Sequence, residues 1–144
     1  MEKSTEKNEA IVRSICEIVE KAKKRGKQVQ AYQQTIYDID YLFSEVNSGA
    51  SFEQYFRWAS VEEIRRVQKA LTTVKLKEIS ELTQQAIKIA FPNGIPNNED
   101  EKNDLTYWTE EQEEGLDNLF EPFFDANKKI IDTLACYARD NLSY

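Results

Sequence analysis

A chain of 144 residues, 40% of them apolar and 11% aromatic, is long enough to close one hydrophobic core without metal or disulfide staples. It contains no histidine, which removes imidazole general-base catalysis, the Ser-His and Cys-His nucleophile pairs and the common His-bearing zinc sites. A net charge of -7, a mean hydropathy of -0.67 and apolar runs of only a few residues exclude a membrane-spanning helix and weigh against direct nucleic-acid binding.

The charged start, Met1-Glu2-Lys3-Ser4-Thr5-Glu6-Lys7, lacks the apolar stretch and cleavage site of a secretory signal, so the expected location is cytoplasmic. A first helix is expected over residues 6–24, where Ile11, Ile15, Ile18 and Ala22 share one face. Lys21, Lys23, Lys24 and Arg25 complement the dipole at its end, and Gly26 closes it. The second helix, residues 28–46, has the cleanest seam: Val29, Tyr32, Ile36, Ile39, Phe43 and Val46. It should pair antiparallel with the first across a turn at Gly26–Lys27. Tyr32, Tyr37 and Tyr41 form a second apolar stripe, which either later helices or a homodimer partner would cover. Cys16 and Cys136, the only cysteines, sit among apolar helical positions. They read as reduced, half-buried thiols, with a disulfide between the terminal helices as the alternative.

Asn47-Ser48-Gly49 stops the second helix. Phe52, Tyr55, Phe56 and Trp58 then indicate a short helix pressed into the core, with Ser51 and Gln54 as a capping box. Ser60 opens the next helix, whose seam is Val61, Ile64, Val67, Leu71 and Val74; Leu76, Ile79, Leu82, Ala86 and Ala90 define another over residues 75–89. Whether Thr72-Thr73 breaks or only bends the chain is open at this stage. Phe91-Pro92-Asn93-Gly94-Ile95-Pro96 demands turns, and residues 97–108 read as a polar surface loop. Thr109, with Gln112 three residues on, caps a helix carrying Leu116, Leu119 and Phe120. Gly115 costs that helix about 1 kcal/mol relative to alanine and is read as a sign of a short, imperfect helix rather than of close backbone approach. Pro122 bends the chain or opens the final helix, which buries Ile130, Leu134 and Tyr137. The expected architecture is all-α: one domain over residues 1–144 with six or seven packed helices and no sheet. A separate origin for the N-terminal helix, residues 1–27, is left open.

The chain has no dinucleotide fingerprint, phosphate loop, HExxH, CxxC or acidic calcium loop. No cofactor, metal site or catalytic residue is expected. Glu110, Glu113, Asp117 and Glu121 recur at steps of three, four and four, along the side of a helix opposite Leu116, Leu119 and Phe120. Such carboxylates form a solvated face and do not offer the inward-pointing arrangement of a metal site. Charge is unevenly spread. Residues 1–27 hold eight bases and five acids, whereas residues 99–125 hold eleven acids and Lys102 alone as a base. That field repels phosphates and attracts basic surfaces. The expected partner is therefore a basic or DNA-binding protein, met by Glu110, Glu113, Asp117 and Glu121, with no direct nucleic acid and no membrane. Two other functions stay in view: a carboxylate- or metal-dependent hydrolase using some of Asp38, Asp40, Glu45 and Glu53, and a helical domain with a purely structural role.

Glu45-x-Asn47-x-Gly49, followed by Phe52-x-Gln54-Tyr55-Phe56 and later by Leu116-Asp117, resembles the DMP19-like family over residues 28–125. That family shows an Asn-Gly-Gly-Phe-x-Gln-Tyr-Phe block and an acidic stretch with a Leu-Asp pair. Here Asn47-Ser48-Gly49-Ala50-Ser51-Phe52 places extra residues before the phenylalanine, and Trp58 stands where asparagine is common. The resemblance implies an all-helical domain, and a dimer whose acidic surface imitates the charge of DNA and engages a DNA-binding protein. On their own chemistry, Asn47, Gly49, Phe52, Gln54, Tyr55 and Phe56 read as a structural motif. Gln54 would satisfy backbone groups in the turn while the aromatics fill the helix junction, a binding pocket being the alternative.

Overall fold

Nine helices follow one another among the described residues: α1 (Glu2–Lys24), α2 (Ala31–Gly49), α3 (Glu53–Trp58), α4 (Val61–Thr73), α5 (Lys77–Ala90), α6 (Glu99–Leu105), α7 (Glu110–Asn118), α8 (Phe120–Ala126) and α9 (Ile130–Leu142). The structure, a computed structural model, describes the backbone of residues 2–142 and side chains from residue 6 onward. Met1, Ser143, Tyr144 and the side chains of residues 2–5, part of the charged start, lie outside them. No strand occurs among the described residues, so the all-α expectation stands and the helix count exceeds it.

The α1–α2 hairpin turns where expected. Gly26 adopts a left-handed φ of 65°, and the Lys27 N–H reaches back to the Ala22 carbonyl at 2.8 Å, which satisfies orphan acceptors at the helix end. The buried stripe of α1 is Asn8, Val12, Ile15 and Val19, displaced from the Ile11–Ile15–Ile18–Ala22 face; Ile18 is exposed. Apolar residues cover a wide arc of this helix, and its packing against both α9 and α2 selects which part is covered. Asn8 donates to Asp132 of α9 at 2.7 Å and accepts from Arg139.

The centre of the fold is α2, which packs against α1, α3, α4, α8 and α9 and buries Ile36, Ile39, Leu42, Phe43 and Val46. Burial of such side chains stabilises by about 1.5–3 kcal/mol each. Its tyrosine stripe is used within the chain: Tyr37 stacks on Tyr41 with centroids 6.3 Å apart, and Tyr41 meets Tyr55 of α3 at 5.9 Å. Burial lifts the Tyr41 phenol to about 12.

Two open boundaries are decided and one expectation is overturned, each for a local reason. The α4–α5 break comes after Thr72 and Thr73, whose hydroxyls bond the Gln68 and Lys69 carbonyls inside the helix. Lys75 takes a left-handed φ of 63° and lets the Leu76 N–H reach the Leu71 carbonyl. Pro122 lies in the first turn of a separate short helix, α8, rather than opening the last one. Without an N–H it cannot bond the Asn118 carbonyl, so α7 ends there. The one correction among the three concerns the surface loop expected over residues 97–108, where residues 99–105 are helical. The Asn98 side chain accepts from the Glu101 N–H at 2.8 Å, and Glu99, Asp100 and Glu101 suit the positive end of the helix dipole.

Candidate functional site

The acidic helix α7 is aimed by four contacts. Thr109 Oγ1 accepts from the Gln112 N–H at 3.1 Å, and Gln112 Oε1 accepts from the Thr109 N–H at 3.0 Å. The other end of the same amide donates to the Ile89 carbonyl of α5 at 2.9 Å. Trp108 Nε1 donates to the neighbouring Ala90 carbonyl at 3.1 Å. One capping pair thus starts α7 and also satisfies the C-terminus of α5. Gly115 then faces Ile89, where a Cβ would lie 3.2 Å from Cδ1. This glycine leaves room for the Ile89 side chain in a helix that is also short, as the glycine suggested.

With Leu116 fully buried below, the carboxylates look outward. Glu110, Asp117 and Glu121 are exposed and Glu113 is half-buried. Glu110, Glu113 and Asp117 share α7, whereas Glu121 lies beyond its end on α8. Glu53 of α3, which the sequence did not connect to this row, lies beside it. Asp117 and Glu113 are near enough to act on its carboxyl. Burial first, then Asp117 and Glu113, push its pKa up, while Arg57 opposes the shift. Arg57 sits 4.0 Å from Glu53 and stacks over the Trp108 ring at 5.2 Å. Together Arg57, Thr106, Tyr107, Trp108 and Glu113 line a shallow cleft.

The lone base of the acidic stretch is turned inside. Lys102 is 2% exposed, and its Nζ donates to the carbonyls of Phe56, Arg57 and Ala59 at 2.9, 2.8 and 2.7 Å. It thereby serves as the C-terminal cap of α3, whose last carbonyls have no helical partner. Glu99 adds a second tie by accepting from the Val61 N–H at 2.7 Å. Burial lowers the Lys102 pKa, with Glu99 and Glu63 opposing. A lysine isolated among eleven acids was the available signal that this side chain has an inward task.

The acids considered for hydrolysis are dispersed. Asp38 is buried and takes a two-pronged bond from Arg66 at 2.9 and 3.0 Å, with Gln34 at 2.9 Å. Asp40 accepts from the Cys16 thiol at 3.5 Å. Glu45 accepts from Gln54 at 2.7 Å, and Glu53 belongs to the acidic face. No group of three or more Cys, Asp or Glu among the described residues is placed to hold a metal ion. The two cysteines are free, Cys16 half-buried and Cys136 exposed, which removes the disulfide alternative. Burial, and then Asp40, push the Cys16 thiol up.

The motif residues build the core. Phe52, Tyr55 and Phe56 are fully buried. Phe52 meets Phe123 edge-on at 5.1 Å, and Phe56 meets Phe91 at 5.4 Å. Gln54 donates to the Glu45 side chain rather than to turn backbone, and so forms no capping box with Ser51. Ser51 Oγ instead accepts from the Glu53 N–H at 3.2 Å. Gly49 lies under Gln54, whose Cβ would be 2.9 Å from an added methyl. Asn47 accepts from Asn127 at 3.4 Å.

No described helix is long and apolar enough to cross a membrane. The chain matches the family described as DMP19-like protein over residues 27–141, so α1 falls wholly outside the matched region although it packs against α2 and α9. No curated protein and no solved structure matches.

Proposed function

We propose, from the premise that this chain belongs to the DMP19-like family, that it is a non-catalytic, cytoplasmic interaction protein. Its acidic face engages a basic, DNA-binding protein in place of DNA. The observation that carries this reading is the disposition of charge in residues 99–125. Eleven acids are set against one base, and that base is withdrawn into the core, so the segment has no exposed cation of its own; from outside it, Lys128 pairs with Asp125 at 3.8 Å.

Glu110, Glu113 and Asp117 give one row, with axial spacings of about 4.5 and 6 Å from the 1.5 Å helical rise. The phosphates of one DNA strand recur at about 3.4 Å per step, so the row is sparser than a phosphate backbone but of the same order. Glu53 of α3 adds a carboxylate beside Asp117, off that row, and α6 carries further acids at Asp100 and Asp104. Glu121, exposed on α8, adds an acid beyond the end of α7. Asp38 supplies none of this face, being buried against Arg66.

A homodimer would double the face, as the family resemblance implies. The test is competition. A DNA-binding protein captured by this chain should be released by duplex DNA, and this chain should in turn displace it from DNA. Simultaneous, independent binding of both to the partner would overturn the mimic reading.

A further inference from the structure

Charge alone steers partners but leaves affinity to desolvated anchors. The two most exposed large apolar side chains among the described residues are Trp58 and Tyr107, at 72% and 89%. Each is the chain neighbour of one partner in a single contact. Trp58 follows Arg57, and Tyr107 precedes Trp108, the pair that stack 5.2 Å apart. Tyr107 shares its cleft with Arg57 and Glu113, and Glu53, one turn before Arg57, sits beside Asp117. Neither ring closes the core beneath: Trp108 is buried and hydrogen-bonded without Tyr107, and Lys102 rather than Trp58 caps α3.

Building on the acidic-face reading, the geometry points to Trp58 and Tyr107 as the apolar anchors of that interface. Their occupant is a basic protein surface presenting aliphatic side chains between its lysines and arginines. Charge complementarity selects this occupant, since the surrounding acids of residues 99–125 have no exposed basic counterpart in that segment. Tryptophan and tyrosine are enriched among residues that dominate interface affinity, and an arginine beside them, already stacked and so preorganised, adds a donor at the rim.

Two synthetic peptides of equal net charge test the assignment on the full chain. One is an amphipathic helix of lysine, arginine and leucine; the other interleaves the same cations with glycine and serine. The amphipathic peptide should bind at least about tenfold more tightly and blue-shift the emission of exposed Trp58. Trp58→Ala and Tyr107→Ala should each erase about tenfold of that affinity, leave glycine-serine peptide binding unchanged and preserve the helical circular dichroism. Trp58→Phe should keep most of it. Equal affinity for both peptides, unaltered by the aromatic variants, overturns the anchors and leaves the acidic face standing. Binding of neither peptide overturns both. Self-association that Trp58→Ala disperses would make the occupant a second copy and overturn the inference.

Discussion

The Nζ of Lys102 lies 2.7 Å from the carbonyl oxygen of Ala59, forty-three residues earlier in the chain. The same ammonium serves the Phe56 and Arg57 carbonyls, so the acidic α6 segment is fastened to the end of α3 by its only cation. Replacing Lys102 by methionine keeps the volume and removes the donors. With the last carbonyls of α3 left unpaired, urea denaturation should show a loss of about 2 kcal/mol. An unchanged midpoint would show that water replaces the ammonium without cost.

Gly49 and Ala50 should respond in opposite directions. Ala50 closes α2 with a left-handed φ of 52°, a conformation that penalises side chains by roughly 1–2 kcal/mol, so Ala50→Gly should raise stability by about 0.5–1 kcal/mol. Gly49→Ala would drive a methyl to 2.9 Å from Gln54 Cβ and should lower it by about 1–3 kcal/mol. Thermal melts of the two single variants check both signs.

Gly115 sets how closely α7 approaches α5. A valine there would overlap Ile89, already 3.2 Å from the position of a single methyl. Gly115→Val should destabilise by about 1–3 kcal/mol and, by shifting α7, weaken partner binding although no acid is altered.

Much of the framework was readable in advance because it rests on local periodicity. The α2 seam, the Gly26 turn and the Thr109–Gln112 cap all follow from spacing and side-chain chemistry within one turn of helix. What escaped depends on tertiary partners. Helix α6 has no apolar stripe, because its inward residue is Lys102, and polar composition therefore read as loop. The covered stripe of α1 was misassigned by one position, since apolar residues at 11, 12, 15, 18 and 19 fit two faces and α9 chooses between them. Gln54 had several possible acceptors in reach, and only the folded arrangement selects Glu45. At the candidate site, the row along α7 was legible from its three- and four-residue steps, whereas Glu53 came beside it only through the packing of α3 on α7.

Glu53 gives the acidic face a pH signature. Its folded pKa is raised above the unfolded value by burial and by Asp117, so the folded state binds more protons in the window just above pH 4.5. Stability contributed by this group is therefore present at acid pH and is lost as pH rises through the raised pKa. Glu53→Gln should raise the melting temperature at pH 7 and have little effect at pH 4, where both states carry the proton. A stabilisation of the same size at both pH values would contradict the assignment.

The central claim is that the outward carboxylates of the α7–α8 face hold a basic partner. Glu113, Asp117 and Glu121 replaced together by lysine should leave the helical spectrum nearly unchanged, because Leu116, Gln112 and Gly115 still seat the helix. Affinity capture from the native host at 0.05 and 0.15 M salt, with the bound proteins identified by mass, measures the consequence. A basic DNA-binding protein should be retained by the native chain, held less at the higher salt, released by duplex DNA and absent from the lysine variant. Recovery of the same partner by the lysine variant at 0.15 M salt, or recovery of no basic partner by the native chain, would contradict it.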